Sequence, residues 1–289
     1  MIWDLILDTL LDTAKLLPFL FLTYLLMEYL EHRTGDKTLA VIRRADRMGP
    51  LFGGVLGIVP QCGFSAAASG FYAGRVIRIG TLIAVFMSTS DEMLPIMLSR
   101  RVPVLTVLKI LLVKAGLAVA AGFLVDYLFP KFNIRKIGSS IHDLCEHDKC
   151  GCESDNSENI FRSSLMHTLQ IAVFILAVSF ALNLMVEVLG EEGLRALILN
   201  QPVVGELLAG VMGLLPNCAA SVMITTLYLD GAMSAGAMMS GLLVGAGVGL
   251  IVLFRTNRNL VENIKITVLL YGCGVLGGLL VNAARITFI

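Results

Sequence analysis

Long apolar stretches, separated by short polar ones, run along almost the whole chain. They lie near 16–30, 51–71, 79–98 and 104–129, and again near 165–189, 207–229, 232–254 and 264–281. A helix needs about 20 predominantly apolar residues to cross a bilayer. The pattern therefore predicts an all-α integral membrane protein whose main partner is the lipid bilayer.

The second half of the chain repeats the first. With a shift of 156 residues and no gaps, seven of the fifteen positions from 51 to 65 are identical to those from 207 to 221. Chance similarity between apolar helices would match Leu and Val. Here a Pro-x-Cys sequence recurs at one register, as Pro60 with Cys62 and Pro216 with Cys218. The chain therefore contains an internal duplication.

The proline-containing segments decide how the two repeats are oriented. Proline breaks a helix, so 51–71 and 207–229 can each fold back as a re-entrant hairpin or cross as an interrupted helix. Lys and Arg collect in cytoplasmic loops. If the segments are hairpins, the basic residues of 33–47, 75–78 and 255–258 fall on one side with those of the central polar stretch. If they cross, this bias largely disappears, so the charge pattern favours hairpins.

Each repeat then has three transmembrane helices and one re-entrant hairpin. Because three is odd, the repeats are inverted: one hairpin enters from the cytoplasm and the other from outside, and their tips meet near the midplane. Both chain ends are expected outside. The predicted units are repeat 1 at 1–130 with hairpin 51–72, a cytoplasmic linker at 131–160, and repeat 2 at 161–289 with hairpin 207–229.

Composition narrows the function. Charged residues make up 15% of the chain, against about a quarter in soluble domains. The net charge is zero, so nothing points to nucleic acid as a partner. The sequence lacks the phosphate-binding loop that a nucleotide-driven pump needs, and its acidic start MIWDLILDTLLD differs from a secretory signal. These features favour a transporter over an enzyme, with no cofactor required.

The hairpin tips carry the first candidate site. Broken helices at the midplane mark the substrate site of secondary transporters. Soft sulfur ligands suit zinc, copper(I) and similar ions, although free cysteines are often only small packing residues. The candidate substrate-binding residues at the tips are Pro60, Gln61, Cys62, Ser65, Pro216, Asn217, Cys218 and Ser221.

A second group of polar residues lies in the spans that follow the first hairpin. Its members are Ser90, Asp91, Glu92 and Lys114, with the lysine as a counter-charge. Carboxylates inside a crossing normally mark an ion or proton pathway, although near the outer end of the span they would reach water. Pro95 is expected to kink this span. The matching stretch of repeat 2, 245–249, has no carboxylate, so the predicted site is asymmetric.

The central linker carries a third group of residues, all His or Cys. They are His142, Cys145, His147, Cys150 and Cys152. Five such ligands within eleven residues suit Zn²⁺ or another transition-metal ion, but the spacing matches no closed structural zinc module. We expect an accessory metal site that captures or senses the ion. A disordered linker with incidental cysteines is the alternative.

Two long segments make the chain resemble a known family. GIVPQCGFSAAASGFYAGRVIRIGTLIAVFMSTSDEMLPIML and GLLPNCAASVMITTLYLDGAMSAGAMMSGLLVGAG resemble the ten-helix heavy-metal exporters, also called manganese transporters or arsenic-efflux-like permeases. The resemblance implies a multi-pass exporter of the inner (plasma) membrane, with the ten segments counting the hairpin arms separately. Manganese favours oxygen ligands, so the two tip thiols and the linker agree poorly with manganese as the cargo.

Three functions follow from these features. The leading one is secondary export of a heavy-metal or metalloid ion, with Asp91 and Glu92 carrying coupling protons or coordinating the ion. The second is a thiol–disulfide relay that passes electrons across the membrane through Cys62 and Cys218. The third is transport of an oxyanion or organic anion, drawn to the two half-helix N-termini at the tips. The sequence leaves cargo, direction, coupling ion and oligomeric state open.

Overall fold

The structure, a computed structural model, describes residues 48–58, 62–90, 93–129, 165–166, 168–177, 180, 203–216, 218–257 and 259–288, with isolated positions between 10 and 25. Within these ranges the chain is helical and contains no strand. In the first half the helices are α1 (Gly49–Leu56), α2 (Cys62–Ala73), α3 (Ile79–Ser88), α4 (Met93–Ser99) and α5 (Val104–Leu128). In the second half they are α6 (Val204–Gly213), α7 (Cys218–Leu229), α8 (Ala235–Val244), α9 (Val248–Thr256) and α10 (Leu260–Ala283). A further apolar helix covers Thr168–Ala177.

Four of the described stretches are long and apolar enough to cross a membrane. They are Ile79–Ser99, Val104–Leu128, Ala235–Thr256 and Leu260–Ala283. This confirms the all-helical membrane fold predicted from hydropathy. The predicted spans at 16–30 and 165–189 lie largely outside the described residues.

Two of these four stretches are interrupted, and the interruptions differ from the prediction. The helix ends at Ser88 and resumes at Met93, whereas a kink was expected at Pro95. Pro95 is the third residue of α4, and a proline in the first turn of a helix removes no intrahelical hydrogen bond. In the second half the helix ends at Val244 and resumes at Val248 after Gly247, where φ is +53°. That conformation favours glycine. The span predicted at 232–254 is confirmed by the apolar stretch Ala235–Thr256, and the interruption within it was not predicted.

The helix boundaries follow the sequence duplication. Adding 156 to the bounds of α2 gives the bounds of α7, and adding 156 to those of α3 gives those of α8. The crossing of the third and fifth helices also recurs. A Cβ on Gly80 would lie 2.2 Å from the carbonyl oxygen of Gly122, and one on Gly278 would lie 2.5 Å from that of Gly236. In both halves, therefore, glycine lets two helix backbones touch.

The two halves pack into one another around a central pair of helices. Every residue of α3 is buried, and so is α8 from Gly236 to Val244. α5 and α10 lie outside this pair and expose much of their apolar surface, as helices that face lipid do. α2 of the first half packs on α9 of the second, and α7 of the second packs on α4 of the first. The breaks in the helices therefore face one another in the centre.

Candidate functional site

A small pocket lies where three helix interruptions come together. Its volume is about 20 Å³, room for about one water-sized species. The α3–α4, α6–α7 and α8–α9 interruptions each supply part of the wall, and α5 and α7 complete it. The lining residues include Thr89 and Ser90, Gly213 and Leu215, Gly245 and Gly247, Lys114 of α5, and Ser221 of α7.

Lys114 places an amino group in the lining of this pocket. It is the eleventh residue of α5, about 15 Å from the start of the helix at 1.5 Å per residue. That is half of a hydrocarbon core about 30 Å thick. Its side chain is 1% exposed. The Nζ atom donates to the carbonyl oxygen of Thr89 and lies 3.3 Å from Oγ of Ser90.

The end of α3 satisfies its own backbone with hydroxyl groups. Oγ1 of Thr89 donates to the carbonyl oxygen of Val85 at 2.7 Å, and Oγ of Ser90 donates to that of Ser88 at 3.1 Å. Inside a membrane, carbonyls freed by a helix break must be bonded by the protein or face a polar cavity. The Lys114 ammonium adds a cation at the negative end of the α3 dipole. The break is therefore stable without contact with bulk water.

The second half builds its break differently. Gly245 N–H donates to the carbonyl oxygen of Gly241 at 3.0 Å, as Thr89 N–H does to that of Val85 at 3.1 Å. Gly245, Ala246 and Gly247, however, supply no hydroxyl group. The residue equivalent to Lys114 is Leu270, which is fully buried in the apolar core. The lysine belongs to one half only, so the lining of the pocket is asymmetric. The asymmetry predicted from Asp91 and Glu92 lies outside the described residues.

The structure brings together three of the predicted site residues. Ser90, Lys114 and Ser221 line the pocket, whereas Ser65 and Pro216, which are also described, do not. Ser65 is fully buried next to α9. A Cβ placed on Gly249 of α9 would lie 2.8 Å from the Cβ of Ser65. The duplicated serines Ser65 and Ser221 therefore have different surroundings.

The remaining candidates are described in part or not at all. Cys62 and Cys218 begin α2 and α7, in equivalent positions, but their side chains lie outside the described part of the structure. Outside it altogether are Pro60, Gln61, Asp91, Glu92 and Asn217, and the linker residues His142, Cys145, His147, Cys150 and Cys152. Among the residues that are described, no three His, Cys, Asp or Glu side chains cluster as a metal site would require.

Two buried carboxylates were not predicted from the sequence. Glu262 accepts from Arg75 through both of its oxygens, at 2.6 and 3.0 Å, and from the Tyr72 hydroxyl at 2.5 Å. Glu206 accepts from Val203 N–H at 2.7 Å and from Asn282 at 2.8 Å. Each lies in the first turn of a helix, where an acidic residue is expected to cap the helix N-terminus. The sequence pattern therefore gave no sign of their contacts with distant residues.

Comparison with known proteins decides the family. A family model described as "Putative, 10TM heavy-metal exporter" matches residues 3–189. The chain belongs to this exporter family. No curated protein and no solved structure matches the chain. Membership confirms the resemblance seen in the sequence and, with the four apolar helices, makes this family member a multi-pass protein of the plasma membrane.

Proposed function

We propose that this chain is a secondary exporter of a heavy-metal or metalloid ion, and that the cargo binds in the pocket beside Lys114. The observation that carries the proposal is the meeting of three helix interruptions half-way along α5. Broken helices at that depth, in two related halves, form the binding sites of secondary transporters. Thr89, Ser90, Lys114 and Ser221 place polar groups in a lining that is otherwise apolar, which favours an ionic or polar occupant.

We also propose that α1 and α2 form a re-entrant hairpin, as do α6 and α7. Two contacts support this for the first pair. Gly49 at the start of α1 lies against Thr81 near the start of α3, and Gly57 after α1 lies against Ser88 at the end of α3. α1 therefore runs alongside α3 to the depth of the pocket. α2 must return, because only 74–78 separate its end from the start of α3.

Inversion of the two halves is part of the same proposal. Under the 156-residue shift, α7 is the counterpart of α2 and α9 is the counterpart of α4. α2 of the first half packs on α9 of the second, and α7 of the second packs on α4 of the first, so each half makes the same contact with the other. Such an exchange is expected of two related units arranged about a two-fold axis. With three crossings and a hairpin in each of the units 1–130 and 161–289, that axis lies in the membrane plane. Each tip then faces the pocket from its own side of the membrane.

The residues at the pocket receive separate roles in this proposal. Ser90 and Ser221 offer hydroxyls to the cargo, and Lys114 sets the charge that the pocket prefers. Cys62 and Cys218 stand at helix N-termini that begin at the tips, where a thiol suits a soft ion. Asp91 and Glu92 follow directly after the α3 break and are assigned coupling or coordination.

Lys114 favours a second candidate, export of an anion such as a metalloid oxyanion. Among the described helices, α3 and α1 make the most extensive contacts with α5, and α4 and α8 make smaller ones. None of these four helices contains an ionisable residue. The acidic residues nearest to the pocket in sequence are Asp91 and Glu92. A buried ammonium, two serine hydroxyls and the start of α7 together match the donors that an oxyanion needs.

Transport by purified protein in liposomes tests both candidates. The informative variant is Lys114→Met, and the matched control is Lys109→Met, which removes an exposed lysine from the same helix. For an anionic cargo, Lys114→Met should weaken binding at least tenfold, because a hydrogen bond to a charged group is lost. For a cationic cargo it should tighten binding, because a like charge beside the cation is removed. If transport of thiol-reactive metal ions, arsenicals and oxyanions is unchanged in both variants, the pocket is not the cargo site.

A further inference from the structure

A wide apolar groove lies between the arms α1 and α2 and the start of α3. Its walls are aromatic and aliphatic, and its volume is about 310 Å³. Protein interiors are close-packed, and an engineered cavity of roughly 150 Å³ already holds a benzene molecule. The lining residues used below are Phe52, Leu56, Phe64, Ala67, Ala68 and Thr81. We call this space the hairpin groove.

Thr81 is the polar side chain of the hairpin groove. Its residue is 7% exposed, and among the described buried side chains its Oγ1 is the atom that has no hydrogen-bond partner. A buried hydroxyl normally has one, because an unmade hydrogen bond costs free energy. Oγ1 faces the start of α1, since a Cβ on Gly49 would lie 2.1 Å from it. The start of α1 covers this hydroxyl, so a group that enters the groove can accept from it once the Thr81 side chain or that helix end shifts.

The second half of the chain has neither the hydroxyl nor the same space. The equivalent positions, 156 residues later, replace Thr81 by Ala237, Ala67 by Met223 and Ala68 by Ile224. Ile224 packs tightly on α8, where a Cβ on Gly241 would lie 2.6 Å from its Cδ1. Phe64 is larger than its counterpart Ala220, but it lines the groove without closing it. The duplication itself therefore marks the groove and its hydroxyl as properties of the first half.

We propose that the hairpin groove binds one phospholipid molecule. One acyl chain lies in the groove, and the Thr81 hydroxyl donates to an ester or phosphate oxygen. Phe52 is 57% and Leu56 51% exposed, so the groove opens on the surface of a chain that lipid surrounds. A phospholipid combines a long apolar chain with acceptor oxygens at one end, which matches the apolar walls and the one hydroxyl of the groove.

The position of Thr81 fits the polar end of such a lipid. It is the third residue of α3, close to the membrane surface at which that helix begins. From Gly49 the groove reaches Leu56, seven residues along α1 and about 10 Å deeper. The N-terminus of α1 beside Thr81 has no side-chain cap, and the positive end of its dipole favours a phosphate. The headgroup thus lies beside Thr81 and the start of α1 near the membrane surface, and the acyl chain lies against the apolar walls deeper in the membrane.

The test counts phospholipids on the full-length protein by native mass spectrometry, after detergent extraction and titration with palmitoyl-oleoyl-phosphatidylglycerol. Ala67→Met with Ala68→Ile fills the groove with the residues of the second half. Thr81→Val removes the hydroxyl at nearly constant shape, and Thr81→Ser keeps it. Ala120→Met, at an exposed position of α5, is the control for added bulk.

Wild type, Thr81→Ser and Ala120→Met should each retain one tightly held lipid. The filled variant should lose it, and Thr81→Val should bind it about fivefold more weakly, as expected for one hydrogen bond. Equal lipid retention in Thr81→Val and wild type overturns the proposal, even if the filled variant does not fold. So does a filled variant that is destabilised with an unchanged lipid count, because another part of the chain, such as residues 1–47, then occupies the groove.

Discussion

Replacing Arg75 by glycine tests how much the buried contact between the two halves stabilises the protein. Arg75 has φ of +59°, and its counterpart Gly231 has φ of +74°. Both residues end a helix in the left-handed conformation, which costs a non-glycine residue about 1–2 kcal/mol. Arg75→Gly therefore removes strain and installs the residue that the second half already uses.

The same substitution removes a buried ion pair. The side chains of Arg75 and Glu262 are 9% and 7% exposed, and their contact is bidentate. Removing one partner of such a pair costs about 3–5 kcal/mol, because it leaves the other charge buried. The relief of strain offsets part of this, so we expect Arg75→Gly to lose about 2–3 kcal/mol of stability. Tyr72 still donates to Glu262 and limits the loss.

Equilibrium unfolding of the purified protein in mixed detergent micelles measures this loss. Arg75→Gly combined with Glu262→Gln should recover part of it, since no unpaired carboxylate remains. The matched control is Asp230→Asn, which removes the partner of Arg100. That pair is 3.5 Å apart and exposed, so it contributes about 1 kcal/mol at most. If Arg75→Gly is as stable as wild type, relief of strain cancels the loss of the ion pair, and the buried contact does not add net stability.

Three further predictions concern the pocket, the linker and the topology. Gly213→Ala should destabilise the protein by about 1–3 kcal/mol in the same unfolding assay, because the added Cβ would lie 2.3 Å from the carbonyl oxygen of Gly241. The control Gly272→Ala should leave stability unchanged, because its Cβ would enter open space. Replacing the five His and Cys residues of 142–152 should weaken Zn²⁺ binding in equilibrium dialysis but leave some transport; complete loss of transport would make the linker part of the path. Cysteines engineered at 38 and 140 should react with an impermeant reagent only from the cytoplasmic side, and labelling from outside would contradict the topology.

The positions of the long helices could be predicted from the sequence because they depend on local composition. A predicted span at 104–129 became α5 at Val104–Leu128, and the expected break at Pro-x-Cys separates α6 from α7. Backbone hydrogen bonds must be satisfied within a helix in lipid, so an apolar stretch of sufficient length has few alternatives. The bounds of α7 and α8 also lie 156 residues after those of α2 and α3, which is the shift that aligns the repeated residues of the two halves.

Other features depended on contacts between distant residues. The break at Gly245–Gly247 was missed because small residues in an apolar stretch equally suit close helix packing. Lys114 was recognised as a buried charge, but its donation to the Thr89 carbonyl depends on how α5 crosses the end of α3. Arg75 and Glu262 are 187 residues apart, and neither side chain shows its partner in the local sequence. Local composition thus specifies which segments are apolar enough to enter the membrane, and the repeated residues place the duplication. Which polar groups meet depends on how distant helices pack, because the low dielectric of the interior favours buried charges only where a specific partner is positioned.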